Sequence, residues 1–399
     1  MPRTIIDIHV LQTVPPSNMN RDDTGTPKSA FYGGVRRARV SSQAWKRATR
    51  RRFETLLPPE ELGVRTKKVA EALAERVVAL DDTLEDNALK LAEAALPVAT
   101  GSTLEVPKRR KKEDTDDEAA AAAQSKYLMF LSRRQLDALA KLVVEYSEGG
   151  DVGTLTKALK EKEKKALARA AVDTRHSVDI ALFGRMVADA ADLNVDAAAQ
   201  VAHALSVHRS DIESDYYTAV DDRSEDSEPG AGMIGTVDFN SATLYRYAAV
   251  DADELQRNLG TGLRKDEPPT TPAARAAGAF LEAFITSLPT GKINTFANHT
   301  LPSAVVVTIR DRWPLSFVGA FEEPVPKTTR GGFLRESCRR LTPYVQNLEK
   351  QYGIDEDRTW VFRVGEETDD LAPLGAGVTL AELLAQVEGA VAERLGSDG

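Results

Sequence analysis

Apolar and polar positions alternate from Thr4 to Gln12 among β-branched residues, and this pattern predicts a half-buried strand that Pro15-Pro16 ends. A polar loop follows, Asn20 to Gly34. Ser41 or Ser42 then offers an N-cap to a helix reaching about Leu56, with Trp45, Ala48, Thr49 and Phe53 as its buried stripe. Gln43, Lys46, Arg47, Arg50 and Arg51 take the other faces.

From residue 58 to about 172 the pattern changes. Glycine is sparse, and Ala, Leu, Glu and Lys dominate. Val69, Leu73, Val77 and Leu80 mark one amphipathic helix; Leu136, Leu139, Leu142, Val143 and Tyr146 mark another. Between them Lys108–Ser125 sets a positive block against a negative one with no core-forming residues, the composition of a solvated loop. The region reads as a helical insertion.

Beyond it, His176–Phe183 reads as a strand closed by Gly184. Asn194–His208 reads as a helix with Ala198, Val201, Leu205 and His208 on one face. Residues 216–250 give two strand-like runs joined by a long arm. Ala273–Leu288 is an apolar helix and Ser303–Asp311 a buried strand. Thr379 and Glu382 form a capping box ahead of a C-terminal helix. Strands that recur far apart between helices suit an α+β sandwich, a small sheet covered by helices on one side. No repeat period or heptad run is present.

Composition narrows the function. A single cysteine, Cys338, excludes an internal disulfide framework and a cysteine-rich zinc site. No run approaches the 18 or more apolar residues of a membrane helix, and MPRTIIDIHVLQTV lacks the apolar core of a signal peptide, so a cytoplasmic protein is expected. Charge is uneven. Residues 1–60 carry eleven Lys and Arg against five Asp and Glu, so in a chain of net charge -9 the remainder carries -15. The excess peaks in GGVRRARVSSQAWKRATRRRF, Gly33–Phe53, with eight basic residues and no acid in twenty-one. That distribution fits one defined polyanion track and not a nucleic-acid coat.

No enzyme constellation stands out. The five histidines include no H-E-x-x-H, and G-x-S-x-G, Walker A and G-x-G-x-x-G are absent. GAGMIG (Gly230–Gly235) follows an acidic stretch and opens no helix. In the basic stretch Gly33-Gly34 permits close backbone approach. In an extended segment Arg37 and Arg39 point to one side and Arg36 to the other. Ser41 and Ser42 stand at a helix N-terminus, which favours an anion, and Gln43, Lys46 and Arg50 share one helical face. Such a line suits successive phosphates, with glutamine reaching sugar or base. Two further segments are candidates: Met233 and Ile234 at the arm tip, as a wedge between bases or a dock, and GKINTFANH (Gly291–His299), where Lys292 suits a phosphate and Asn294 and Asn298 suit sugar or base.

IDIHVLQTVPPSNMNRDDTGTPKSAFYGGVRRARVSSQAWKRATRR resembles the N-terminus of the CasC backbone subunit of the type I-E CRISPR surveillance complex, Cascade. VDIALFGRM, DAAAQVAHALSVH, DYYTAVDD, IGTVDFNSATLYRYA and ELQRNL extend the resemblance over most of the chain outside the insertion and the last hundred residues. It implies an α+β fold: a modified RRM/ferredoxin-like palm (residues 1–57, 176–211 and 241–399), a helical fingers insertion (58–175) and a β-hairpin thumb (212–240). It implies copies stacked head to tail along the spacer of a CRISPR RNA. The thumb of one copy kinks the RNA held by the next, and the segments between kinks pair with target DNA. RNA contacts carry over to Arg21, Lys28, Ser41, Gln43, Lys46 and Arg50. Arg50 falls where a relative has lysine, so the charge is kept on a differently shaped donor. Met186 and either Met233 or Ile234 fall where apolar side chains meet kinked bases, and Lys292 where a further basic contact lies. SEDSEP departs from this pattern by adding acid near the RNA path. No cofactor or metal is expected; the partners are CRISPR RNA, target DNA through the guide, further copies and the other Cascade subunits, without a membrane. Two other readings stand beside this one: a metal-dependent ribonuclease using Asp22 and Asp23, and a purely structural subunit assembled through protein contacts.

Overall fold

The computed structural model describes residues 3–105, 123–187, 190–219, 233–260, 267–327, 332–354 and 358–397, and they form an α+β protein. They divide into two units. One comprises Met1–Phe53, Ala199–Ala252 and Ala277–Gly399, the other Glu54–Ala198 and Asp253–Ala276.

The first unit is built on a mixed ten-stranded sheet. Its strands are β1 (Ile5–Ser17), β2 (Ser29–Tyr32), β3 (Val35–Val40), β4 (Ala199–Val201), β5 (Ala204–Ser206), β6 (Glu213–Ala219), β7 (Met233–Asp251), β8 (Ala304–Arg310), β9 (Arg358–Arg363) and β10 (Ala376–Val378). The order is β10-β9-β8-β1-β7-β5-β3-β2, with β4 and β6 also paired to β7. Only β9–β10 is parallel. β1 runs antiparallel to β7 with Leu11 opposite Tyr245, and to β8 with Asp7 opposite Thr308.

The sheet carries helices on both faces, not one. α1 (Ser42–Leu56), α2 (Thr271–Thr286, of which this unit takes the part from Ala277) and α4 (Leu380–Ser397) lie on the face bearing Arg246 and Trp360, through Trp45, Phe284 and Gln386. α3 (Leu334–Tyr352) packs Cys338, Leu341 and Val345 against Leu11, Tyr245 and Val306 on the other face. Both faces of β1 are therefore buried from Ile5 to Gln12, where the sequence predicts a half-buried strand. The polar positions that suggested a wet face, Asp7 and His9, are interior and hydrogen-bonded. β1 also continues past Pro15-Pro16. The ladder shifts register between Val14 and Ser17, and such an irregularity accommodates residues that lack a ladder N–H.

Two expectations are overturned between residues 176 and 208. Val178–Phe183 is a short helix, not a strand, ended by Gly184 at φ 79°. Its run is apolar without alternation, and periodicity alone does not separate a buried strand from a buried helix there. Asn194–His208 is not helical; it forms β4 and β5, which pair with β7. The small Ala and Val side chains imitate a helical stripe, but the ladder of β7 captures them as strands.

In the second unit, Val69–Leu80, Glu85–Thr100, Arg133–Ser147, Val152–Ala158 and Lys162–Asp173 are helices. They enclose a core that includes Val69, Leu73, Val77, Leu91, Leu136 and Leu139. Both predicted stripes fall on these helices, although Leu80 is exposed. Ser132 and Gln135 form a capping box at the head of Arg133–Ser147. Of the charged segment Lys108–Ser125, residues 108–122 lie outside the described residues, as do SEDSEP and the first three residues of GAGMIG. No described helix is long and apolar enough to cross a membrane.

Candidate nucleic-acid interface

The basic stretch folds as the β2–β3 hairpin followed by α1. Gly33 and Gly34 form its two-residue turn at φ 57° and 76°, the doubly positive geometry that glycine adopts without strain. A side-chain carbon at Gly33 would collide with the Glu322 carbonyl, so the close approach is to the protein's own backbone.

Arg37 does not join the track. It is fully buried, and its guanidinium donates to the carbonyls of Tyr32 (3.1 Å), Ser206 (3.0 Å), Phe321 (2.9 Å) and Glu322 (2.9 Å). Arg36, on the opposite face, is exposed and lies 5.7 Å from the ring of Phe31, itself 76% exposed. Arg39 donates to the Ser29 carbonyl at 3.3 Å and to His203 Nδ1 at 3.4 Å.

The loop before β2 is drawn onto this corner. Asn20 Oδ1 accepts the Ser41 N–H at 2.8 Å, the Asn20 carbonyl accepts the Lys28 N–H at 2.9 Å, and the Lys28 carbonyl accepts the Arg39 N–H at 2.9 Å. Asp22 shapes the loop: its carboxylate accepts the N–H groups of Thr24 and Thr26, each at 3.0 Å, and the Thr24 hydroxyl at 2.7 Å. Those bonds hold its carboxyl below the usual range. Asp22 is thereby a loop-ordering residue, and no group of three His, Cys, Asp or Glu placed to hold a metal occurs among the described residues. A shallow cleft opens between loop and sheet, lined by Met19, Asn20, Lys28, Arg39 and Asn240 among others.

Ser41 is the N-cap of α1. Its buried hydroxyl accepts the Ala44 N–H at 3.3 Å, so it serves the helix first. The Ser42 N–H donates to His203 Nδ1 at 3.3 Å. His203 therefore joins Lys28 and Arg39 at the head of α1; burial, then Arg39 and Lys28, lower its pKa and keep it a neutral acceptor. Sequence reading missed this residue because it took the surrounding stretch as helix. Along α1, Trp45, Thr49 and Phe53 are buried and Gln43 and Arg47 exposed, while Lys46 and Arg50 are half-buried on the flank. Burial lowers the Lys46 amine.

A third segment abuts the loop. Gly291 lies so close to the Met19 carbonyl that no side chain fits there, and Lys292 follows, exposed, at φ 51°. Lys292 and Ala297, at φ 46°, bracket the short helix Ile293–Phe296 in left-handed backbone that non-glycine residues seldom adopt. Asn294 is exposed; Asn298 is fully buried and faces no ligand surface. The exposed Arg21 pairs with Pro27 across the base of the loop.

The structure thus brings Arg21, Lys28, Ser41, Gln43, Lys46, Arg50 and Lys292 onto adjoining segments of one unit. Met186 belongs to the other unit and is 82% exposed. Arg185 beside it is anchored to the carbonyls of Leu193 and Val172, and the Val187 N–H to Asn194 Oδ1. Met233 and Ile234 open β7 opposite Ala219 and Thr218, and their side chains lie outside the described residues.

These features match known proteins over nearly the whole chain. The CT1975-like protein family matches residues 6–386. One solved chain, described as "CRISPR RNA-guided surveillance complex, pre-nicking", is 33% identical, covers 97% of this chain and 100% of its own, and superposes with a TM-score of 0.79. Another, described as "CRISPR RNA-guided surveillance complex", is 29% identical over 98% of this chain and 99% of its own, with a TM-score of 0.67. No curated protein matches. A family match over almost all of the sequence, on a fold shared with surveillance-complex chains, means that the chain belongs to the CT1975-like family, that of the CasC backbone subunits of type I-E Cascade.

Proposed function

We propose that this CasC-type backbone subunit grips a guide RNA by its phosphates along α1 and the loop beside it, and that several copies do so in series to form a filament over the spacer. The observation that carries the reading is the convergence of Lys28, Arg39 and the head of α1, followed by Gln43, Lys46 and Arg50 on one helical flank. Such a row holds a backbone irrespective of sequence, and base pairing by the guide reads the target DNA. In this reading the sheet unit is the RRM-like palm, the helical unit the fingers, and the β6–β7 hairpin the thumb. Met186 and the Met233–Ile234 end of β7 press on kinked bases, Arg21 and Lys292 add phosphate contacts, and neighbouring Cascade subunits close the filament. The subunit binds and presents RNA without catalysis, and the role of Asp22 in its own loop supports that view over a nuclease using Asp22 and Asp23.

The test is the salt dependence of guide-RNA binding. With single-stranded RNA each lost phosphate contact lowers the slope of log K against log salt by about 0.7. Lys46→Ala combined with Arg50→Ala is expected to reduce that slope by about 1.4. An unchanged affinity and slope in the folded double variant would overturn the proposal.

A further inference from the structure

The sheet face that carries α1 contains a cation that no anion among the described residues balances. Arg246 of β7 is 1% exposed. One of its terminal nitrogens donates to Gln12 Oε1 at 2.6 Å and the other to the Phe284 carbonyl. Its central carbon lies 3.8 Å from the ring centroid of Trp45 and 4.5 Å from that of Phe284. Its Nε has no partner, and among the described residues no carboxylate forms an ion pair with it. Burial lowers its pKa to about 9, so it stays charged at neutral pH.

Burying a charge without a counter-ion is expensive. Two aromatic faces recover part of that cost, yet a well-packed apolar side chain at the same place would avoid it. What distinguishes the position is its neighbour. Trp45, the ring over the guanidinium, belongs to α1, and Lys46 and Gln43 stand beside it on the flank assigned to RNA. The charge therefore lies about one helix diameter, roughly 10 Å, beneath that flank. Its field crosses protein and not water, and dissolved ions screen it less than they screen a surface lysine.

We infer that Arg246 is a buried charge of the RNA track, left uncompensated in the protein so that its field, acting through the Trp45 layer, strengthens the hold of α1 on the phosphate backbone. Arg246 does not touch RNA and is a positioning and field-setting residue; the inference rests on the RNA-binding reading above.

Gln12→Glu separates the field from the packing. It sets a carboxylate against Arg246 and keeps the guanidinium and both rings, at the cost of the hydrogen bond from Gln12 Nε2 to the Thr300 carbonyl at 2.8 Å, a loss that Gln12→Leu measured alongside subtracts. The expected result is a folded protein whose affinity for a guide-length single-stranded RNA at 50–100 mM salt falls about four- to sixteenfold, the effect of cancelling one charge roughly 10 Å away at an effective dielectric of about 20–40. Arg246→Gln should weaken binding similarly and Arg246→Lys should stay within about twofold of wild type, although both disturb the stacking. Unchanged affinity in Gln12→Glu, or equal affinity of Arg246→Gln and Arg246→Lys, would reduce Arg246 to a packing residue. Lys46→Ala with Arg50→Ala, measured alongside, keeps the two ideas apart: if the wild-type protein binds no RNA or that pair changes nothing, the RNA-binding reading itself has failed.

Discussion

Arg246 and Arg310 occupy opposite faces of one sheet, each 2% exposed or less, and they are housed in opposite ways. Arg310 donates through Nε to Asp7 Oδ2 at 2.6 Å and reaches Glu349 at 3.5 Å. Asp7 also accepts the Tyr247 hydroxyl at 2.7 Å and the Leu315 N–H at 2.9 Å, so β1, β7, β8 and the segment after β8 meet at one carboxylate. Arg246 has two aromatic rings, an amide oxygen and a carbonyl in place of an acid. The paired arginine joins strands; the unpaired one lies beneath the helix proposed to meet RNA. Of these two, one charge is neutralised at a strand junction and the other is left without an acid beneath the helix proposed to meet RNA.

The largest expected effect tests the paired side. Asp7→Ala takes the nearer carboxylate from Arg310, leaving Glu349 at 3.5 Å, and removes the acceptor of Tyr247 and Leu315. Breaking a buried pair in this way costs about 3–5 kcal/mol. All three tryptophans, Trp45, Trp313 and Trp360, lie in the sheet unit, so urea unfolding followed by their fluorescence reads this loss directly. Arg246→Gln strands no carboxylate and is expected to cost less. Equal losses for the two would break the comparison.

A third buried arginine sharpens it. Arg37 sits in the most basic stretch of the chain but spends its donors on four backbone carbonyls that fix the β2–β3 hairpin. Arg37→Met should destabilise the sheet unit by about 2–3 kcal/mol, the scale of hydrogen bonds made by a charged group, while guide-RNA affinity of the folded protein falls less than in Lys46→Ala with Arg50→Ala. A loss of affinity as large as that of Lys46→Ala with Arg50→Ala would place Arg37 on the track after all.

These cases also mark what the sequence conveys. The hydrophobic stripe of α1, the strand β8 and the Thr379–Glu382 capping box follow from local spacing, and all are present. The density of charge in Gly33–Phe53 was legible too, but not its division: Arg36 is on the surface and Arg37 inside, because only the path of Phe321–Glu322 decides which side of the hairpin is covered. His203 was hidden by a strand pair that looks helical, since its partner β7 lies some forty residues away along the chain. The interior of β1 misled for the same reason. Asp7 and His9 alternate with aliphatics as solvent-facing residues would, and only the arrival of Tyr245, Tyr247 and Arg310 from distant strands makes them core.

The smallest effect separates the two faces by pH. His9 is buried against Phe317, ring centroids 3.9 Å apart, and its Nδ1 is hydrogen-bonded to the Tyr245 hydroxyl at 2.9 Å. Burial, and then the charge of Arg310, hold its pKa well below 6.5. A base whose folded pKa is lowered contributes stability above its unfolded pKa and loses it as pH falls, because the unfolded chain takes up a proton that the folded one refuses. One such histidine costs about 1.4 kcal/mol for each pH unit below about 6.5. His208 and His176, the latter lowered to about 4, act in the same direction, so the quantity to measure is a difference. Between pH 7 and pH 5.5 the tryptophan-detected stability of His9→Phe should fall about 1.4 kcal/mol less than that of wild type. Burial lowers the Arg246 guanidinium only to about 9, above this window, so its replacement by glutamine should leave the slope untouched. A wild-type slope in His9→Phe would mean that acid loosens the sheet unit elsewhere, and that the face around Asp7 is less closed to protons than its packing implies.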